Sequence, residues 1–183
     1  SFVDVCSGGY PLDKAARHPQ YPNLSFLTAP VSITADNIDP DEFYTLLEAA
    51  RERFSYVLLD APAGLDAGFR LAARFADRII LVTGSDPASV RDAQRAGQLL
   101  ELMGKTNVRL IVNRIDLKLV RAMDTTIDDV MDTAGLPLLG VVLEDPNMTL
   151  AASFGKPLLR YAKRCDAAKA FRRIARRVQG FPE

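Results

Sequence analysis

Short apolar runs alternate along the chain with amphipathic stretches whose apolar residues recur every three or four positions. Residues 23–28, 56–60, 78–83, 108–113 and 138–143 read as strands. Most are near-continuous in apolar residues rather than alternating, which marks parallel strands covered on both faces. Helices are predicted between them. Asp39-Pro40-Asp41-Glu42 is a helix start, with an Asp cap, Pro at the first helical position and an acid three residues after the cap. Phe43, Leu46, Leu47 and Ala50 follow at helical spacing. A second helix runs through Phe69, Leu71, Ala72 and Phe75. A third starts at Ser85-Asp86-Pro87, with Ser85 as its cap, and stops at Gly104. A fourth spans 124–134 and ends at Gly135, and the remainder reads as helical with a break at Gly155-Lys156-Pro157. Phe43, Leu46, Phe69, Leu71, Leu99 and Leu100 are the expected core. Strands separated by helices build right-handed crossovers. The expected fold is therefore a three-layer, doubly wound α/β domain with a mainly parallel sheet, spanning residues 1–183.

Charge changes this picture little overall and much locally. The 183 residues hold 23 Lys and Arg against 23 Asp and Glu. Zero formal net charge argues against a dedicated nucleic-acid binder. Yet Arg160, Lys163, Arg164, Lys169, Arg172, Arg173, Arg176 and Arg177 face the single acid Asp166 in residues 160–177. That run reads either as a solvated helix face or as a surface for anionic lipid or an acidic partner. Cys6 and Cys165 have no metal-ligand spacing and are read as reduced thiols of a cytosolic protein. His18 is read as a surface residue. No apolar run approaches the length of a membrane span. Ser1-Phe2-Val3-Asp4-Val5 does not read as a natural start, so the chain is expected to come from within a longer protein.

In open α/β sheets ligands bind at the carboxyl ends of the strands. Asp60, Thr83-Gly84, Asn113-Arg114 and Glu144-Asp145 fall there. An acid ending an apolar strand can hold Mg²⁺ through water, and Asp60 is the candidate. Pro62-Ala63-Gly64 then forms a loop in which Gly64 lets backbone N–H groups approach a phosphate. The alternative is that Asp60 caps the following turn. Asn113-Arg114-Ile115-Asp116 has the form N-R-x-D, close to the N-K-x-D with which GTPases read guanine. The alternative for Asn113 is a turn cap at the strand end.

Asp60-Ala61-Pro62-Ala63-Gly64 resembles the D-x-P-A-G motif of the MinD/ParA family of deviant Walker A ATPases. The run from Asp86 through Pro87, Ser89, Val90, Arg91 and Asp92 to Ala93 is similar to the MinD-branch segment P-E-x-S-S-V-R-D-A. Val112-Asn113-Arg114 resembles the family's nucleotide-base segment, and Gly140-Val141-Val142-Leu143-Glu144-Asp145 its G-V-I-P-E-D, with Leu143 in place of the Pro. The motifs keep the family's order from about Phe2 to Val178.

The resemblance implies a P-loop NTPase fold that binds ATP and Mg²⁺, dimerises face to face and hydrolyses ATP when a partner stimulates it. Asp60 is then the Mg²⁺-side acid. Pro62 and Gly64 form the switch loop. Asp86 reaches nucleotide across the dimer, and Asn113, Arg114, Glu144 and Asp145 line an adenine site. Arg91 and Asp92 are implied to contact partners: a division inhibitor and a topological regulator. The family's MinD branch places the division septum by recruiting that inhibitor to the inner face of the cell membrane, through a C-terminal helix not evident in these residues. Its other branches suggest chromosome or plasmid partition, flagellar number, or a non-enzymatic scaffold. No specific nucleic acid is expected. The family's first strand and its glycine-rich phosphate loop with two lysines have no counterpart here, since Ser7-Gly8-Gly9 is not followed by Lys-Ser or Lys-Thr. The chain by itself is therefore expected to bind ATP weakly and to hydrolyse none.

Overall fold

The computed structural model describes residues 16–28, 34–122 and 126–181, together with residues 5 and 12. Cys6, Gly8 and Gly9 lie outside the described residues. The chain divides into two compact units, Ser1–Ala76 and Asp77–Glu183.

In the first unit, β1 (Ala16–His18) and β2 (Tyr21–Phe26) pair antiparallel. The strand expected at 23–28 thus starts two residues early and belongs to a hairpin, not to the parallel sheet. The two-residue connection leaves no room for the crossover that a parallel partner needs. His18 is half-buried in this hairpin: its Nδ1 accepts the Gln20 N–H at 3.1 Å and its ring lies 4.6 Å from that of Tyr21. Helix α1 (Pro40–Arg51) starts as its sequence predicts. Asp39 accepts the N–H groups of Asp41 and Glu42, and Pro40 occupies the first turn. It buries Leu46, Leu47 and Ala50, while α2 (Ala67–Phe75) buries Phe69 and Ala73. Phe43 and Tyr44 meet Phe75, with ring centroids 5.8 and 5.6 Å apart. Residues 56–60 form no strand, contrary to expectation. Tyr-Val-Leu-Leu favours an extended backbone, but a ladder needs a neighbour, and none pairs with it among the described residues. Leu58 is 86% exposed in consequence.

The second unit carries the parallel sheet, in the order β3 (Ile79–Thr83), β4 (Val108–Ile115), β5 (Leu138–Leu143). Helices α3 (Pro87–Leu102) and α5 (Ile127–Ala134) cover one face, where Val90, Ala93, Val130 and Ala134 pack on Leu110, Val112 and Ile115. Helix α8 (Asp166–Val178) covers the other, where Ala167, Ala170 and Ile174 pack on Ile111, Leu139 and Val142. The continuous run Leu110-Ile111-Val112 thus faces two helix layers, which is why it does not alternate. The connections are α4 (Leu117–Ala122), α6 (Pro146–Ser153) and α7 (Leu158–Tyr161). The helix expected from residue 124 begins at Ile127, because Thr126 and Asp129 form a reciprocal capping box there. Gly135 ends it at φ 67, a conformation that costs glycine little.

Gly140 sets how closely α8 approaches the sheet. A Cβ at this position would overlap Ile174 Cγ1. Two side chain–backbone bonds hold the same helix down: Arg177 Nη1 donates to the Leu139 carbonyl at 2.7 Å, and Arg78 Nη1 to that of Val178 at 2.9 Å. Gly140→Val is expected to destabilise the fold by about 2 kcal/mol through overpacking, despite the better strand propensity of Val. Urea unfolding of Gly140→Val, Ile174→Ala and the double variant measures this. The double variant should cost clearly less than the sum of the singles, and strict additivity would show that the two sites do not touch.

Candidate nucleotide-binding site

The parallel register places the carboxyl ends of β3, β4 and β5 along one edge of the sheet. At the end of β4 the ladder breaks. Val112 pairs with Val141 and Ile115 with Leu143, so β4 holds one residue more than β5 over this stretch. Asn113 and Arg114 form that bulge, and Arg114 adopts φ 54, the one positive φ at a non-glycine residue among those described. An arginine gains nothing intrinsic from this conformation, so surrounding structure must hold it. The Glu144 N–H bonds the Ile115 carbonyl at 3.0 Å and closes the bulge. Arg114 Nη2 then lies 3.6 Å from Glu144 Oε1, with 80% and 53% of the two side chains exposed. So exposed a pair contributes little to stability, but it sets a cation and an anion beside Asn113. The Asn113 amide is half-buried and takes no hydrogen bond from the described residues.

Four aspartates that look alike in the sequence have different surroundings. Asp116 is consumed locally: its Oδ1 accepts the N–H groups of Lys118 and Leu119 at 2.8 and 3.4 Å, capping α4. Asp86, not Ser85, caps α3. It accepts the Ser89 N–H at 3.0 Å, and Pro87 follows in the first turn, where its missing donor costs nothing. The Ser89 hydroxyl and N–H hold the Asp86 carboxyl below its ordinary range. Gly84 makes room for this cap, since a Cβ there would come within 2.9 Å of Asp86 Oδ2. Asp145 caps α6 by accepting the Asn147 N–H at 3.0 Å and its Nδ2 at 2.8 Å. Its other oxygen accepts the Ala167 N–H at 3.3 Å, and the Cys165 thiol donates to it. Asp145 therefore ties the starts of α6 and α8 together.

Asp60 differs from all three. It ends the unpaired segment 56–60, is exposed, and takes no cap hydrogen bond from the described residues. Gly64 has φ 95, which a residue with a side chain would adopt only under strain. Pro62 packs its ring on α2, where a Cβ on Gly68 would meet Pro62 Cγ at 2.6 Å. Thr83, at the end of β3, is one of the strand-end candidates, though the sequence assigned it no role of its own. Its hydroxyl is buried, and its oxygen has no hydrogen-bond partner among the described residues. An orphaned buried hydroxyl is costly, and no periodicity signals one in advance. Arg91 and Asp92 lie exposed on the first turns of α3, with Asp92 3.8 Å from Arg95. Cys165 is a free thiol that caps α8 by accepting the Ala168 N–H. Burial pushes its pKa up, and the adjacent Asp145 adds to the rise.

No cluster of three or more His, Cys, Asp or Glu able to hold a metal occurs among the described residues. A single exposed acid such as Asp60 fits Mg²⁺ only where phosphates and water supply the other ligands.

The Asp145 network titrates. The Cys165 thiol and the Asn147 N–H groups lower the Asp145 pKa from 3.8 to about 2. A depressed carboxylate contributes stability that is fully present above its unfolded pKa and lost as pH falls through the folded one. The wild-type chain should therefore lose stability between about pH 4 and pH 2 more steeply than Asp145→Asn, which should also cost on the order of 1 kcal/mol near neutrality through the weakened cap. Denaturant midpoints across that range measure this, and parallel curves would remove Asp145 from the stability account.

No protein-family model matches the chain. The septum site-determining protein MinD of Synechocystis sp. is 33% identical over 180 residues, covering 97% of this chain and 68% of that protein. The chain thus spans about two thirds of that relative's length. Among solved structures, the MinC:MinD cell division protein complex of Aquifex aeolicus matches all of the chain and 74% of its own, with TM-score 0.90 and 29% identity. MinD of Pyrococcus horikoshii, complexed with Mg-ADP, matches 96% of the chain and 71% of its own, with TM-score 0.77 and 25% identity. On this likeness, together with the parallel sheet, the chain belongs to the MinD/ParA family of ATPases, on its septum site-determining branch.

Proposed function

We propose that residues 1–183 form the switch and base-binding portion of a MinD-type ATPase. In the complete protein, an ATP-bound dimer on the membrane recruits an inhibitor of division-ring assembly. The Arg114 bulge carries this reading. A non-glycine αL residue beside an unbonded Asn and a paired Glu, at adjoining strand ends, is local strain at a place where α/β sheets bind ligands. Asn113 would hydrogen-bond an adenine edge, with Arg114 and Glu144 flanking it. Asp116 spends its carboxylate on capping α4, which favours adenine over guanine. Asp145 acts behind the site as a tie between helices. Asp86 starts as a cap, so a role for it across a dimer would require leaving Ser89.

Asp60 is free of cap bonds to the described residues and so can accept from Mg²⁺-bound water. Gly64 would turn a backbone N–H toward the γ-phosphate, and Pro62 on α2 would carry the state of that loop to the helix. Arg91 and Asp92 offer an exposed charged pair where the inhibitor or regulator could dock. The MinC:MinD complex of Aquifex aeolicus and the Mg-ADP complex of Pyrococcus horikoshii MinD support the partner and the ligand by likeness.

The test uses a chain extended to carry a phosphate loop. Asp60→Ala is expected to lower Mg²⁺-dependent ATP turnover at least about a hundredfold, the range for losing one preorganised electrostatic element, with circular dichroism unchanged. Asp116→Asn should leave the preference for ATP over GTP intact. Full turnover by the first variant, or a switch of base by the second, would overturn these two assignments.

A further inference from the structure

A buried hydroxyl without a partner is a cost that a Val of the same outline would remove. Thr83 carries one: the residue is 6% exposed, and its Oγ1 has no hydrogen-bond partner among the described residues. Its register fixes where that hydroxyl lies. Thr83 pairs with Val112 as Leu81 does with Leu110, and Leu81, Leu110 and Val112 all pack on the α3–α5 side. The Thr83 side chain is therefore on the face that α3 covers. The chain then turns at Gly84 and enters α3 at its cap, Asp86. A Cβ on Gly84 would stand 2.9 Å from Asp86 Oδ2 and 3.5 Å from Ser89 Oγ, so the residue next to Thr83 packs directly on the cap. Three polar side chains gather at this turn: Thr83 is buried, Ser89 half-buried and Asp86 exposed. Ser89 gives both its N–H and its hydroxyl to the outer of its two neighbours, Asp86. The inner one, Thr83, is left idle.

We propose that Thr83 is a positioning residue for Asp86: its hydroxyl is the second seat for the Ser89 hydroxyl, taken when the Asp86 carboxylate leaves the cap. In the arrangement described above, Ser89 bonds Asp86 and Thr83 has no partner. In the other, Ser89 turns to a second rotamer and bonds Thr83, its N–H at the exposed helix start is left to water, and Asp86 is free. Losing a helix cap and satisfying a buried hydroxyl are effects of similar size and opposite sign. The two arrangements therefore lie close in free energy, and a ligand that prefers free Asp86 shifts one into the other. With an apolar residue at position 83, release of Asp86 would strand the Ser89 hydroxyl as well. What Asp86 meets once free rests on the site reading given above. The exchange itself does not, and it is tested without nucleotide.

Urea unfolding of the wild-type chain, Thr83→Val, Asp86→Ala and the double variant reads the exchange as a change of sign. In the wild-type background Thr83→Val should raise the unfolding midpoint, because it removes the idle hydroxyl. In the Asp86→Ala background the same substitution should lower the midpoint, because Ser89 there bonds Thr83. Thr83→Ser, which keeps the hydroxyl, should rescue the Asp86→Ala background. Native-state amide exchange gives a local reading that general packing does not move. At Ser89 and Val90 it should be about threefold faster or more in the double variant than in Asp86→Ala, the worth of one net hydrogen bond. A midpoint shift of the same sign in both backgrounds overturns the proposal, as does a loss of stability on Thr83→Val in the wild-type chain, which would show that the hydroxyl already has a partner. Equal exchange at Ser89 and Val90 in the two Asp86→Ala chains overturns it too.

Discussion

Strand β4 has a helix layer against each of its faces, and the second unit is organised around that double burial. Leu110, Val112 and Ile115 belong to the α3–α5 side, and Ile111 to the α8 side. A strand held this way cannot slip by one residue without exchanging its two hydrophobic sets. The register with β3 and β5 follows, and with it the alignment of three carboxyl ends. Gly140 extends the same constraint to α8 by removing the side chain that would hold the helix off the sheet.

The tight packing ends where the chemistry begins. Within a few residues of the strand ends come a bulge, an arginine at φ 54 and a buried threonine hydroxyl with no partner among the described residues. None of these helps the unit fold. Each is tolerated because β4 and its two helix layers over-determine the backbone around it. Asp145 joins the two regions, since its carboxylate lies next to Glu144 in sequence yet spends its bonds fastening α6 to α8.

The parallel sheet was legible in the sequence because near-continuous apolar runs follow directly from double burial. The run at 56–60 has the same composition, yet it pairs with nothing among the described residues, because a ladder depends on a non-local partner that composition does not record. Three Asp-Pro pairs carry the same local message, an Asp cap followed by Pro in the first turn. The pattern was read correctly at Asp39-Pro40; at Asp86-Pro87 the helix start was read but its cap was placed at Ser85, and at Asp145-Pro146 the acid was assigned to nucleotide alone. The motifs located the candidate site but not its geometry. The αL conformation of Arg114 and the bond from Cys165 to Asp145 arise from register and from contacts between distant residues, which spacing along the chain does not encode.

The central claim is that an adenine base sits against the ends of β4 and β5. Photo-crosslinking tests it most directly, with an azido-adenine nucleotide on a chain extended to carry a phosphate loop, followed by peptide mapping. The label is expected on peptides holding Asn113–Asp116 or Glu144, and excess ATP should compete it away while GTP does not. Label confined to other peptides, or competed equally by GTP, would contradict the account.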